Sequence, residues 1–518
     1  MVHHAPTRLG TSHPAPPASR RAWLGLATLL LPVFLVSMDA SVLNIALPRI
    51  TESLQPTAAE QLWILDVYAF LLAGLLITMG NLGDRWGRRR LMMYGATLFA
   101  VASVAAAFAP SAGAMIAARA VMGIGGATLM PSSLALIGSM FAGARSRDRA
   151  LAVGIWSAAF SFGVAVGPVI GGVLLHHYWW GSVFLINVPV FVAMLAVGPF
   201  LIPEYRNGIT ARFDFLGVAL SMGAILPLVY AVKSAATEGL TLRTVSTAIA
   251  GAILLLVFVQ QQRRHPNPLL GLDLFADRTF TVAIVGSVIA IASLGAMSFL
   301  GGIYLQTVLG LDVLAAALLS LPTALVVAYF SMRAPWIENY LGRRNTFVLA
   351  LIAAGIGQFV LLLLGPHGSA WAYVAGSVIA GVGYGILFTF TSVVSLAAAP
   401  PERAGQASAM SEMSFELGTA LGIAVLGSVA TAVFTASGRV EETLGQTLAS
   451  ADSALTEFAL HEWVHGLHVT VGLSGVTLFV LAGLAWAVMG SGRTVEDPHQ
   501  REVRPTDASA AELVGLTE

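Results

Sequence analysis

Cysteine is absent from all 518 residues. Disulfide staples, cysteine-ligated zinc or iron–sulfur centres, thiol catalysis and S-palmitoylation are therefore excluded together. Charge is scarce: 10% of residues are charged, against about 25% in a soluble domain. Lysine occurs once, at Lys233, so there is no Walker-type phosphate loop and ATP is not the direct energy source. The 27 cationic residues match 27 acidic ones, which excludes a basic nucleic-acid binder. What is abundant is apolar, 57% of the chain with a mean hydropathy of +0.80. The chain is built for a lipid bilayer.

Fourteen apolar runs, the first at 23–47 and the last at 469–490, are each long enough for one crossing. They are too long and too uniformly apolar for barrel strands, so the fold class is an all-α integral membrane protein. Residues 1–22, rich in Pro, Ala, His and Arg, read as a disordered tail. Arg20-Arg21 precedes an apolar run with no small-residue cleavage site, so the first helix is expected to stay uncleaved. Placing the N-terminus inside puts 22 of the 27 cationic residues on the inner side. Only Arg49, Lys233, Arg243 and Arg439 fall outside, with Arg119 inside a span. The positive-inside rule then gives a multi-pass cell-membrane protein with both termini cytoplasmic.

The loop between helices 2 and 3 reads Gly80-Asn81-Leu82-Gly83-Asp84-Arg85-Trp86-Gly87-Arg88-Arg89-Arg90. It resembles the signature loop of the major facilitator superfamily, where a carboxylate pairs with arginines and glycines let helices approach. The resemblance implies a conformational latch at Gly80, Gly83, Asp84, Arg85, Gly87 and Arg88. A decayed copy, Pro335 to Arg344, carries Asn339 where the first has Asp84. The repeat makes helices 9–14 the counterparts of helices 1–6 and leaves helices 7 and 8 as an insert.

Helix 5 carries Gly154, Gly163, Gly167, Pro168, Gly171 and Gly172. Positions 163, 167 and 171 lie on one helix face and allow close backbone approach. The full spacing resembles the antiporter signature of drug-exporting facilitators. Helix 13 has Gly418 and Gly422 in the corresponding place. Met38-Asp39-Ala40-Ser41 through Pro48 resembles the helix-1 signature of the fourteen-helix drug:proton antiporters, and Trp179 to Pro189 their entry into helix 6.

An intramembrane carboxylate costs about 2.5–3.5 kcal/mol on insertion scales, so Asp39 is a functional candidate by default. Counting residues from the outer ends places Asp39 roughly 12 Å deep and Arg119 roughly 10 Å deep, within reach of each other. The segment from Arg119 to Gly126 resembles the family's proton-coupling motif, with Met122 where glutamine is common. Glu412 and Glu416 share a face of helix 13 four residues apart. Two such carboxylates at low dielectric repel and titrate as a pair. Asp39, Arg119, Glu412 and Glu416 are therefore the expected proton-coupling residues. Trp63, Asp66, Tyr68, Tyr304, Gln306 and Phe415 are expected to meet substrate.

His461-Glu462-Trp463-Val464-His465 matches a zinc-protease pattern with His468 nearby. With no soluble catalytic domain around it, neither an enzyme nor a metal site is expected. The resemblance spans about 23–490. It implies two pseudo-symmetric six-helix bundles, 23–202 and 280–490, with two inserted transmembrane helices in 203–279. An outer loop is expected at 437–468, and a cytoplasmic tail at 491–518. It further implies a monomer that needs no cofactor, is driven by the proton gradient, and exports amphipathic, often cationic drugs, dyes, quaternary ammonium biocides or antibiotics. Export of a single endogenous metabolite, lipid or self-made antibiotic, and a non-transporting membrane sensor, are the alternatives.

Overall fold

The computed structural model describes residues 16–206, 214–238, 241–266, 268–441, 444–450 and 453–490. Residues 1–15 and 491–518 of the two expected tails lie outside them. Among the described residues no strand occurs, as hydrocarbon demands of a chain that must satisfy its backbone internally. The principal helices of the first half are α1 Arg20–Leu54, α2 Ala58–Trp86, α3 Arg88–Ala107, α4 Ala112–Met140, α5 Ser146–His177 and α6 Asn187–Leu201. The inserted pair is α7 Phe215–Glu238 and α8 Leu242–Arg264. The second half comprises α9 Arg278–Ile303, α10 Val313–Leu341, α11 Arg343–Val360, α12 Ala370–Ala398, α13 and α14 Ser453–Val488. Helix α13 runs through Ala404–Leu421, a π turn Gly422–Leu426, and Gly427–Thr435. Thirteen of the fourteen are long and apolar enough to cross a membrane, and α7 contributes the shorter apolar stretch Phe215–Ala231.

Helix ends carry side-chain caps where the sequence supplies them. Thr57 and Glu60 form a reciprocal capping box at α2, while Ser111, Asp277 and Asp312 accept first-turn N–H groups of α4, α9 and α10. The turn from α2 to α3 pivots on Gly87 at φ 111°, and that from α10 to α11 on Gly342 at φ 80°. Both lie in left-handed space that disfavours a side chain, so the backbone repeats across the halves even where side chains have diverged. In the second copy Asn339 supplies no acid, but Glu338 accepts from Arg343 at 3.2 Å. The acid–arginine pair has thus shifted one residue in register.

Each half encloses its own apolar core. A third, smaller cluster of Phe70, Ile77, Ile225, Val229 and Leu269 seats α7 and the linker after α8 against α2. The segment 437–468 is partly helical: Leu444–Ser450 forms a short helix and α14 already begins at Ser453. The histidine motif therefore lies on the first turns of a long apolar helix.

The insert closes on buried Asp214, which accepts from Gly217 N (2.8 Å), Gln261 Nε2 (3.0 Å) and Gln262 Nε2 (2.9 Å). Burial alone would raise this carboxyl, yet those hydrogen bonds and the His265 ring outweigh it and hold it below its ordinary value. A lowered folded pKa means the stabilisation is full above the unfolded pKa, about 3.9, and disappears as pH falls through the folded value. Asp214→Asn should therefore cost about 1.5–3 kcal/mol at pH 7. Thermal unfolding in detergent should show that deficit shrinking below about pH 4.

Candidate functional site

The arginines at the α2–α3 and α4–α5 turns reach carbonyls at the end of α12 and the start of α13, and there the two halves are joined. Asp84 Oδ1, near the end of α2, accepts from Arg88 Nε at 2.9 Å and from the Gly405 N–H of α13 at 3.1 Å. Arg88 is fully buried; it donates to Ala135 O (3.2 Å), Ser139 Oγ (2.5 Å) and, in the opposite half, Pro401 O (2.7 Å). The two helices touch through glycine: a Cβ on Gly80 would lie 2.5 Å from Gly405 O, and one on Gly405 would strike Gly80 O and Asp84. Gly83 faces Leu91 and Ser132 at ordinary contact distance. Arg85, next to Asp84 in the chain, lies within electrostatic range of Asp214 of the insert.

The helix-5 glycines serve two different seams. Gly163 and Gly167 lie against Ser37, Phe34, Ser41 and Met38 of α1, and Gly171 against Val42, so they bring α5 onto its neighbour within the same half. Gly154 instead meets α10 of the opposite half, 2.5 Å from Ser331 O by the position of a Cβ. Gly172 faces open space, so its missing side chain answers to no packing demand. Pro168 sits inside α5 between these contacts. In the second half Gly418 and Gly422 approach the Val288 and Ala292 carbonyls of α9, as Gly163 and Gly167 approach α1.

Deeper in the first half Arg119 of α4 is ion-paired with Asp39 of α1, both almost completely buried. Arg119 Nε also donates to Ile64 O at 3.3 Å, and its guanidinium lies 4.4 Å from the centre of the Tyr68 ring. Tyr68 is therefore walled in beneath Arg119, a support for the ion pair rather than an open substrate contact. Its hydroxyl lies in electrostatic range of Asp39, Arg119 and Glu416. On α13, Glu412 is buried, feels the Glu416 charge, and its Oε1 has no hydrogen-bond partner among the described residues. The structure thus draws one charged group from α1, α4 and α13 into a single neighbourhood.

The remaining expected substrate residues scatter. Trp63 is exposed, edge-on to Phe70 at 6.0 Å, and Asp66 is half-buried one turn away. Gln306 is exposed. Tyr304 is completely buried in the second half and donates to Gly365 O at 3.0 Å, so its hydroxyl is committed to the fold and not to a ligand. Phe415 belongs to a feature the sequence did not reveal. Trp156, Phe160, Phe388 and Phe415 follow one another at ring distances of 6.3, 6.0 and 4.9 Å, crossing from α5 to α12 and α13. Trp156 is fixed by donation to Ser133 Oγ at 2.9 Å. No local signal links residues 160 and 388; only the fold brings α5 beside α12.

Of the histidines of this motif, His468 is hydrogen-bonded to Leu364 O at 2.8 Å and His461 lies 3.4 Å from Glu457. Among the described residues no group of three or more ligating side chains could hold a metal ion.

Two six-helix halves clasped at one end, the first holding a buried ion pair, define a multi-pass transporter-type membrane protein. A model described as Major Facilitator Superfamily matches residues 29–423, and the chain belongs to that superfamily. It is 40% identical over 84% of its length to "Multidrug efflux pump LfrA" of Mycolicibacterium smegmatis, covering 86% of that protein. It is 33% identical to "Methyl viologen resistance protein SmvA" of Salmonella typhimurium, over 90% of this chain and 98% of that one. The fold is similar to that of the human organic anion transporter MFSD10, with a TM-score of 0.62 at 17% identity, over 90% of this chain and 99% of that one.

Because the Gly80–Gly405 contact leaves no room for a side chain, Gly405→Val should prevent this end from closing. Cross-linking of a cysteine pair placed across α2 and α13, in a chain with no native cysteine, should fall at least fivefold relative to the same pair on the unaltered background.

Proposed function

We propose that the chain is a proton-coupled antiporter that exports amphipathic, often cationic compounds by alternating access. The observation that carries this reading is that Tyr68 lies in electrostatic range of Asp39, Arg119 and Glu416, with Glu416 in turn coupled to buried Glu412, whose Oε1 has no donor among the described residues. A buried carboxylate with an oxygen left without a donor is costly as an anion and is relieved either by a proton or by a cation. That is the competition an exchanger of protons for cationic drugs requires. The names of the relatives, multidrug efflux and methyl viologen resistance, support the same substrate class.

The arginine-rich face is then cytoplasmic and both termini lie inside the cell membrane, by the positive-inside rule. The Asp84–Arg88 clasp becomes the inner gate, with the Trp156–Phe160–Phe388–Phe415 chain spanning the halves between it and the charged neighbourhood. With this gate shut, the molecule is in the state that releases substrate outward. Protons arriving from outside neutralise Asp39 or the Glu412/Glu416 pair and free the bound cation. After the gate opens, their loss to the cytoplasm restores the anionic site. Each proton moving down 100 mV supplies about 2.3 kcal/mol. The protein works as a monomer without a cofactor, the proton gradient being its energy source.

In everted vesicles, Asp39→Asn and Glu412→Gln should each abolish proton release driven by a cationic dye, and Glu416→Gln should weaken it. Retention of coupled release in all three would remove these groups from the proton path. Arg119→Ala leaves Asp39 buried without its partner and should cost about 3–5 kcal/mol of stability, seen as a loss of folded protein on extraction. Arg119→Lys should restore folding while leaving the pH dependence of transport displaced.

A further inference from the structure

The halves meet along two lateral seams at the arginine-rich face, and these are covered unequally. The α2/α13 seam lies under the insert: Leu226 of α7 packs at Gly74 of α2, and Met413 of α13 joins the same apolar cluster. The α5/α10 seam, where Gly154 meets Ser331, carries a hollow of about 300 Å3 at its rim. Its walls include Arg147 and Leu151 from α5, and Tyr329, Met332, Arg333 and Trp336 from α10.

The chemistry of this hollow is cationic and amphipathic. Arg333 Nε donates to Tyr329 Oη at 3.2 Å, and its guanidinium lies 5.6 Å from the Tyr329 ring and 5.8 Å from that of Trp336. Two aromatic faces thus orient the arginine without neutralising it. Among the described residues neither Arg147 nor Arg333 forms an ion pair with a carboxylate. The neighbouring acids are already engaged, Asp148 with the Ala18 N–H at 2.9 Å and Glu338 with Arg343. Tyr329, Trp336 and Tyr340 are all exposed, and Trp336 stacks on Tyr340 at 6.1 Å. Exposed aromatics and arginines at the end of an apolar span mark the headgroup level of a bilayer. A basic pocket between spans at that level fits a lipid phosphate.

We propose that the groove binds an anionic phospholipid of the cytoplasmic leaflet, its phosphate between Arg147 and Arg333 and an acyl chain along Leu151 and Met332. The two arginines belong to opposite halves, so the bound lipid bridges the seam. It therefore binds the closed arrangement better than the open one and shifts the population toward it. This second consequence rests on the alternating-access reading; retention of the lipid does not.

The test uses the full chain in nanodiscs of phosphatidylcholine with or without phosphatidylglycerol. Spin labels are placed at Gly143→Cys, where added atoms meet nothing within 4 Å, and at exposed Asn339→Cys. Phosphatidylglycerol should raise the ratio of short to long label separations at least threefold. Arg147→Gln/Arg333→Gln should remove that response while matching the unaltered chain in phosphatidylcholine alone. Native mass spectrometry should show phosphatidylglycerol retained by the unaltered chain and lost from the double variant. An equal response in the double variant, or equal retention, overturns the site. Retention without a change in label separation overturns the bridging role. A matching shift on adding glycerol phosphate to phosphatidylcholine discs overturns the lipid as the ligand. None of these readings depends on drug-driven proton release, so failure of the antiport reading is seen separately.

Discussion

One carboxylate oxygen, Asp84 Oδ1, receives both the arginine beside it and a backbone N–H from the other half of the molecule. Everything else at the closed end is arranged around that shared atom. Gly80 and Gly405 supply the proximity, and Arg88 reaches past the carboxylate to a carbonyl of the opposite half. The clasp is polar and buried, so it is stable only while every partner is in place; loss of the facing half would leave Asp84 and Arg88 short of donors and acceptors. Such an interaction has two states rather than a continuum, which suits a gate.

The second constraint is the cost of charge in hydrocarbon. The chain keeps few ionisable groups within its spans, and Asp39, Arg119 and Glu416, from α1, α4 and α13, gather around Tyr68. The same helix serves both places: α13 carries Glu412 as well as the Gly405 N–H that Asp84 accepts, seven residues apart.

Much of this was legible in the sequence because membranes impose strong rules. The all-α class and the fourteen helices followed from run length, and the two halves from a repeat anchored on Gly87 and Gly342. Asp39 and Arg119 met as helix rise alone suggested. What stayed hidden depended on contacts between distant segments. Tyr68 and Tyr304 look like ligand-facing aromatics in one dimension, yet Arg119 covers the first and Gly365 O engages the second. Arg85 sits within the signature loop, yet Asp214, over a hundred residues later, comes within its electrostatic range. The aromatic chain from Trp156 to Phe415 has no spacing of its own to betray it. Asn339 signalled a lost acid, whereas Glu338 had taken its place one residue earlier.

The contact between Gly80 and Gly405 has an evolutionary implication. Each occupies the space that a side chain on the other would need, so neither position can be explored singly without prying the halves apart. Substitution at one cannot be rescued by shrinking the other, which is already as small as a residue can be. The pair is a dead end for adaptive change, and heritable variation in this protein must accumulate away from that contact.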